Sequence, residues 1–121
     1  MRESGLKVIY PGLKSHKDHE LMKKIMNPGF GFGGMLALDM GTTDRANRFM
    51  EKMEQEGVGF LAVSLGYFKT LFSCSGKSNS SEVPEELQKE MGMSEGLVRF
   101  SIVLDNDIER TYHKIKSCLD V

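Results

Sequence analysis

Leu97-Val-Arg-Phe-Ser-Ile-Val-Leu104 is the stretch whose reading decides the fold. Its residues are β-branched or large and apolar at nearly every position, the composition of a strand. Side chains alternate across a strand, so Val98, Phe100, Ile102 and Leu104 share one face. That face is wholly apolar and belongs against helices. Arg99 falls on the other face with Leu97, Ser101 and Val103. An arginine in the middle of an apolar strand is costly to bury unless its charge meets an anion. Its planar fork matches a carboxylate or a phosphate. From the pattern alone, an acidic side chain of this chain and a bound ligand would serve equally well.

The flanks follow from this strand. Asp105 or Asn106 caps a final helix with Ile108, Tyr112, Ile115 and Leu119 on one face. Upstream, Pro84 with Glu85 and Glu86 opens a short helix, and the Ser-rich run Cys74 to Glu82 reads as a loop. Phe60 to Leu65 is a strand. Ala46, Phe49, Met50 and Met53 recur with the spacing of an amphipathic helix, which Gly57-Val-Gly59 ends. Gly34 to Met40 is another strand. Leu6 to Tyr10 is the first, followed by the turn Pro11-Gly12. A helix from a Ser15 cap to about Met26 then carries the stripe Leu21, Met22, Ile25 and Met26. The predicted order is β-α-β-α-β, short α, β-α. It describes one α/β (α+β) domain over residues 1–121, with a small sheet of about four strands and helices on one face.

Length and charge narrow the function. The chain has 121 residues, a single-domain length. Sixteen Lys and Arg against seventeen Asp and Glu leave a net charge of -1, which argues against nucleic acid as a partner. No apolar run approaches the roughly 20 residues of a membrane span, and the N-terminus lacks a signal-peptide core, so a cytoplasmic protein is expected. Two cysteines, Cys74 and Cys118, make neither a disulfide framework nor a complete zinc site. The nine methionines read as core filler. His16 and His19 read as solvated helix residues, and no metal site is expected. Cys74, in the Ser-rich run, would need a base partner to act as a nucleophile. Gly29-Phe-Gly-Phe-Gly-Gly34 fits G-x-G-x-x-G, but a helix precedes it and a strand follows, the reverse of a dinucleotide site.

Four segments, in order and with similar spacing, resemble one family. KVIYPGLKSHKDHELMKKIM resembles the "YPGL…HPxHELAxxxM" stretch of the transsulfuration enzymes, the pyridoxal-phosphate enzymes of cysteine and methionine metabolism. GGMLALDM resembles their "GGMxSFEL", LAVSLG their "AxSLG", and SSEVPEELQKEMGMSEGLVRFSIVLDN their "VPxEERxxxGISxGLVRLSVGLED". The resemblance implies the small C-terminal domain of a fold-type-I enzyme, with a mostly antiparallel sheet. It also implies that the large cofactor-binding domain, with its "SxTK" lysine, lies outside this chain, in an enzyme of roughly 400 residues.

The implied activity is cleavage or formation of bonds at Cβ or Cγ of sulfur-containing amino acids. The implied cofactor is pyridoxal 5'-phosphate. By the same resemblance Arg99 clamps the substrate carboxylate, Ser64 lies beside the cofactor lysine and the substrate, and Leu65 shapes the pocket. No catalytic residue is expected within this chain. Val63 stands where enzymes handling cystathionine commonly carry Glu, and this, with the SLGYFKTLFSCSGKSNSSE run, is similar to the methionine γ-lyase branch. Full-length relatives imply a homodimer or homotetramer. Lys17, Lys69 and Val103 depart from the family pattern, replacing Pro, Glu and Gly. A glycine in a strand often marks a bulge or a close backbone approach, so Val103 puts that geometry in question. A catalytically dead remnant, or a partner-binding fragment of the cystathionine γ-lyase or γ-synthase type, is the alternative expectation.

Overall fold

The computed structural model describes residues 5–74 and 83–121. Five strands form one sheet: β1 (Lys7–Ile9), β2 (Met35–Asp39), β3 (Gly59–Leu61), β4 (Thr70–Cys74) and β5 (Leu97–Ser101). Four helices accompany them: α1 (His19–Ile25), α2 (Thr43–Gln55), α3 (Glu85–Glu90) and α4 (Ile108–Ser117). The sheet order is β1-β2-β5-β4-β3, antiparallel throughout except for the parallel pair β3 and β4. The expected mixed fold stands, with five strands where about four were predicted. The added strand is β4, Thr-Leu-Phe-Ser-Cys, which runs through residues given no element and ends at Cys74, the first residue of the stretch read as loop.

The last strand lies at the centre of the sheet. Val98 pairs with Leu38 on one side and Cys74 on the other, and Phe100 pairs with Leu36 and Phe72. These residues form the helix-facing side. Phe100 meets Phe49 of α2 with ring centroids 6.1 Å apart and Phe72 at 6.2 Å, both tilted. Such aromatic pairs add about 0.5–1.5 kcal/mol beyond the area they bury. Ala46, Phe49, Met50 and Met53 of α2, with Ile115, Cys118 and Leu119 at the C-terminal end, complete this core. The Thr42 hydroxyl caps α2 by accepting from the Arg45 N–H at 3.3 Å. Asp107, not Asp105 or Asn106, caps α4 in the same way at 3.0 Å.

Three local expectations are corrected. The central strand stops at Ser101, and Ile102 N–H makes its last bridging bond to Gly34 O at 2.8 Å. Leu104, assigned to the core face, is fully exposed beyond that end. The first helix starts at His19 rather than near Ser15, and Leu21 and Ile25 of its predicted apolar stripe face solvent. His19 is buried instead of solvated: its ring stacks on Phe32 at 4.9 Å, and Nδ1 lies 2.7 Å from Pro11 O. Residues 75–82, most of the Ser-rich run, lie outside the described residues. No helix among the described residues is long and apolar enough to cross a membrane.

Candidate functional site

The face of the sheet away from α2 and α4 carries the candidate site. Register places Ala37, Arg99 and Ser73 in one row across β2, β5 and β4, and Met35, Ser101 and Leu71 in the next. Arg99 is therefore central on this face, as its place in the alternation predicted. Leu97, on this face by the same alternation, is buried, whereas Met35 is exposed.

The connection between β3 and β4 explains what lies over Arg99. Parallel neighbours cannot be joined by a tight hairpin, because the chain must travel back along the strand before it starts again. β3 and β4 are short, so residues 62–69 make that return without a helix. Two contacts put the return segment on the Arg99 face. Arg99 Nη2 donates to Ser64 O at 3.1 Å and to Ala62 O at 3.3 Å. The Gly66 N–H donates to Ser101 Oγ at 3.3 Å. Two side chains of one strand face thus hold one loop.

The Arg99 guanidinium remains incompletely matched. Its Nε is buried and has no hydrogen-bond partner among the described residues. Among those residues it forms no ion pair, and its acceptors are neutral carbonyls. An acidic side chain from this chain was one of the two readings open from the pattern, and none of the described carboxylates fills that role.

The structure brings Ser64 to Arg99 through its backbone carbonyl, and the serine is exposed. Val63 and Leu65 flank it with exposed apolar side chains, followed by exposed Tyr67 and Phe68, whose rings meet at 4.3 Å. All of the predicted site residues therefore lie on one strand and one loop. Sequence reasoning missed Ser101 and the carbonyl of Ala62. The serine's period-2 relation to Arg99 was the available signal.

Other candidates separate from this site. Cys74 is the last residue of β4 rather than a loop residue; it is buried, and its Sγ donates to Glu95 O at 3.1 Å. Cys118 is buried at the end of α4, and burial pushes its thiol pKa up, which keeps it protonated and unreactive. Among the described residues no three of His, Cys, Asp and Glu converge as metal ligands would. Lys69 lies over the Phe60 ring, 4.9 Å from its centroid. Among the described residues no side chain other than glycine has positive φ, so Val103 occupies ordinary backbone and not a conformation reserved for glycine.

Comparison with known proteins accords with this architecture. The family model described as "Cys/Met metabolism PLP-dependent enzyme" matches residues 3–116. Methionine gamma-lyase of Arabidopsis thaliana is 45% identical over 113 residues, covering 93% of this chain and 26% of that protein. Cystathionine gamma-lyase of Bacillus subtilis is 33% identical over 99 residues, covering 82% of this chain and 24% of its own. Among solved structures, an O-acetylhomoserine (thiol)-lyase from Campylobacter jejuni, holding N'-pyridoxyl-lysine-5'-monophosphate, superposes with a TM-score of 0.82. It is 27% identical, covering 96% of this chain and 27% of that one. Cystathionine gamma synthase from Xanthomonas oryzae, in complex with cystathionine, gives a TM-score of 0.79 at 25% identity, covering 93% of this chain and 28% of its own. This chain spans about a quarter of the length of the relatives it matches. With the fold and nearly the whole sequence in correspondence, the chain belongs to the pyridoxal-phosphate-dependent enzymes of cysteine and methionine metabolism.

Proposed function

We propose that this chain is the C-terminal substrate-binding part of a pyridoxal-phosphate-dependent carbon–sulfur lyase that acts by γ-elimination on methionine or homocysteine. The observation that carries the reading is Arg99, fixed beneath the return loop by two backbone carbonyls with its charge unneutralised among the described residues. An amino-acid carboxylate is a planar anion of the right size for the remaining guanidinium edge. The apolar side chains of Val63 and Leu65, on the loop that Arg99 holds, suit a thioether chain better than a second charged end. The similarity to the Arabidopsis methionine gamma-lyase supports the same substrate class.

Ser64 is the residue of this face that would border the cofactor. Ser64 is exposed on the held loop and is the residue proposed to lie beside the cofactor lysine and the substrate. When bound, pyridoxal phosphate supplies an electron sink for carbanion chemistry on the amino acid. This chain's share is orientation. Arg99 holds the carboxylate, which fixes the direction of the bonds from Cα outward and so the bond that breaks. The loop's apolar side chains exclude water around the departing thiolate.

The mass of the endogenous protein, captured from its source cells, is the first test. A product several times heavier than 13.6 kDa, carrying an upstream cofactor lysine, is the expected result. A stable product of 13.6 kDa would overturn the reading. In the full-length protein, Arg99→Ala should weaken binding of norleucine, an isostere of methionine without the reactive sulfur, by roughly 10- to 100-fold. Norleucinamide, which lacks the carboxylate, should bind both forms equally weakly.

A further inference from the structure

We infer that Ser101 is a positioning residue for the substrate carboxylate: it pins the return loop through Gly66 and thereby sets where the guanidinium of Arg99 points. This inference rests on the carboxylate-binding role proposed for Arg99.

Arg99 and Ser101 are two residues apart on β5, so both face the same side of the sheet. The loop leaves the sheet at Ala62, whose N–H donates to Phe72 O of β4 at 3.0 Å, and beyond that point side chains of β5 hold it at two stations. At Ala62 and Ser64 the loop offers carbonyl oxygens, and Arg99 Nη2 takes both. At Gly66 it offers an N–H, and Ser101 Oγ accepts it at 3.3 Å. The two stations differ in what they can do. The guanidinium is long and flexible, and carbonyls on a free loop would follow it. The serine side chain has one rotatable carbon–oxygen arm on a central strand, so it fixes the loop relative to the sheet. With the loop fixed, the Ser64 carbonyl becomes a fixed acceptor beside that of Ala62, and the guanidinium is held in one orientation with its Nε still unpartnered among the described residues.

The surroundings of the two residues reinforce the division of labour. Ser101 is buried and sits between Met35 of β2 and Leu71 of β4 in the ladder, so its backbone has no freedom to follow the loop. Gly66 has a φ of +64°, a turn conformation that side-chain-bearing residues rarely adopt. The turn and the serine acceptor thus specify the loop's course at one point, just before the exposed aromatic pair Tyr67 and Phe68. Ala62 stays tied to β4, its N–H donating to Phe72 O at 3.0 Å, but without the Ser101 hydroxyl residues 63–66 keep only the Arg99 bond to Ser64 O among the described hydrogen bonds, and the arginine loses the fixed reference at Ser64.

The experiment uses the full-length protein with Ser101→Ala, Ser101→Thr and Ser101→Cys, alongside Arg99→Ala. Hydrogen exchange read by mass spectrometry follows the segment containing residues 62–66 and needs no catalytic activity. Norleucine affinity reports on the carboxylate site. In Ser101→Ala, exchange at residues 62–66 should rise about tenfold while β2 and β5 keep their protection. Norleucine should bind roughly three- to tenfold more weakly, with norleucinamide unchanged. Ser101→Thr retains the acceptor oxygen and should restore both readouts. If Ser101→Ala does not fold, Ser101→Cys keeps the volume with a weak acceptor and should show both effects in milder form.

Unchanged exchange at residues 62–66 in the alanine and cysteine variants would overturn the inference, because the serine would not hold the loop. Increased exchange with unaltered norleucine binding would overturn it too, because the loop would not position Arg99. Norleucine binding that survives Arg99→Ala would instead sink the carboxylate reading itself, while the exchange data would still report on the Ser101 contact.

Discussion

At the residue scale, Asp105 converts sequence into a measurable pH dependence. It stands just past the central strand, where the chain turns into α4. Its carboxylate accepts from the Thr111 hydroxyl and from the Asp107 N–H, the latter at 2.9 Å. The Thr111 hydrogen bond, followed by the Asp107 bond, holds its pKa below the usual carboxylate range; burial opposes this and the nearby Arg110 assists it. A depressed folded-state pKa means the interaction stabilises the fold above the unfolded value of about 3.9 and is lost as pH falls through the lower folded value. Asp105→Asn should therefore be less stable than the natural chain at neutral pH, and the two should converge in strong acid. Urea unfolding across the acidic range checks this, and a difference that stays constant at every pH would exclude it. The sequence made Asp105 a candidate cap. Only the backbone path shows that Asp107 is the cap and that Asp105 fastens the turn before it.

At the element scale, the β3–β4 pair depends on one glycine. A Cβ at Gly59 would stand 1.8 Å from Thr70 O, the backbone of its own pairing partner. The two strands can pair only if that carbon is absent. Gly57, close by, has a φ of +67°, but a Cβ there would meet open space. Gly59→Ala should therefore cost roughly 1–3 kcal/mol through overpacking, and Gly57→Ala about 1 kcal/mol through backbone conformation alone. Denaturant midpoints should rank the two in that order, and the reverse ranking would mean that β3 tolerates displacement. This pair is also where sequence reading fell short. Leu97 to Ser101 and the α2 stripe were legible because each shows a clean period over a long enough run. β4 was hidden because Ser73 and Thr70 interrupt its apolar residues and the Ser-rich run follows at once. The parallel return of residues 62–69 follows from pairing, which no local pattern encodes. Arg99 was legible as a charge misplaced in an apolar strand. Its carbonyl partners were not, since every residue has a carbonyl.

At the scale of the whole molecule, stability should decline outward from the central strand. β5 is bonded on both sides, by β2 and β4, and carries Val98 and Phe100 into the core with neither exposed. β1 and β3 are three-residue edge strands. The free side of β3 is covered in part by a side chain, since Leu61 N–H donates to the Glu54 carboxylate at 3.0 Å. α1 is tied to the rest of the molecule through His19 on Phe32 and Pro11, with Leu21 and Ile25 turned to solvent. Amides open with free energies that follow buried contacts, from nearly zero at exposed segments to the global value in the core. Native-state hydrogen exchange should therefore find the amides of Leu38, Val98, Phe100 and Phe72 released together by global unfolding. Those of β1 should open at lower free energy, and those of α1 at the lowest. The His19 contact makes the lower end specific. His19→Ala removes the ring stack and the bond to Pro11, so it should speed exchange throughout α1 while leaving β5 within experimental error. Slow exchange in α1, matching that of β5, would mean that the helix is held by a surface beyond this chain, laid against Leu21 and Ile25.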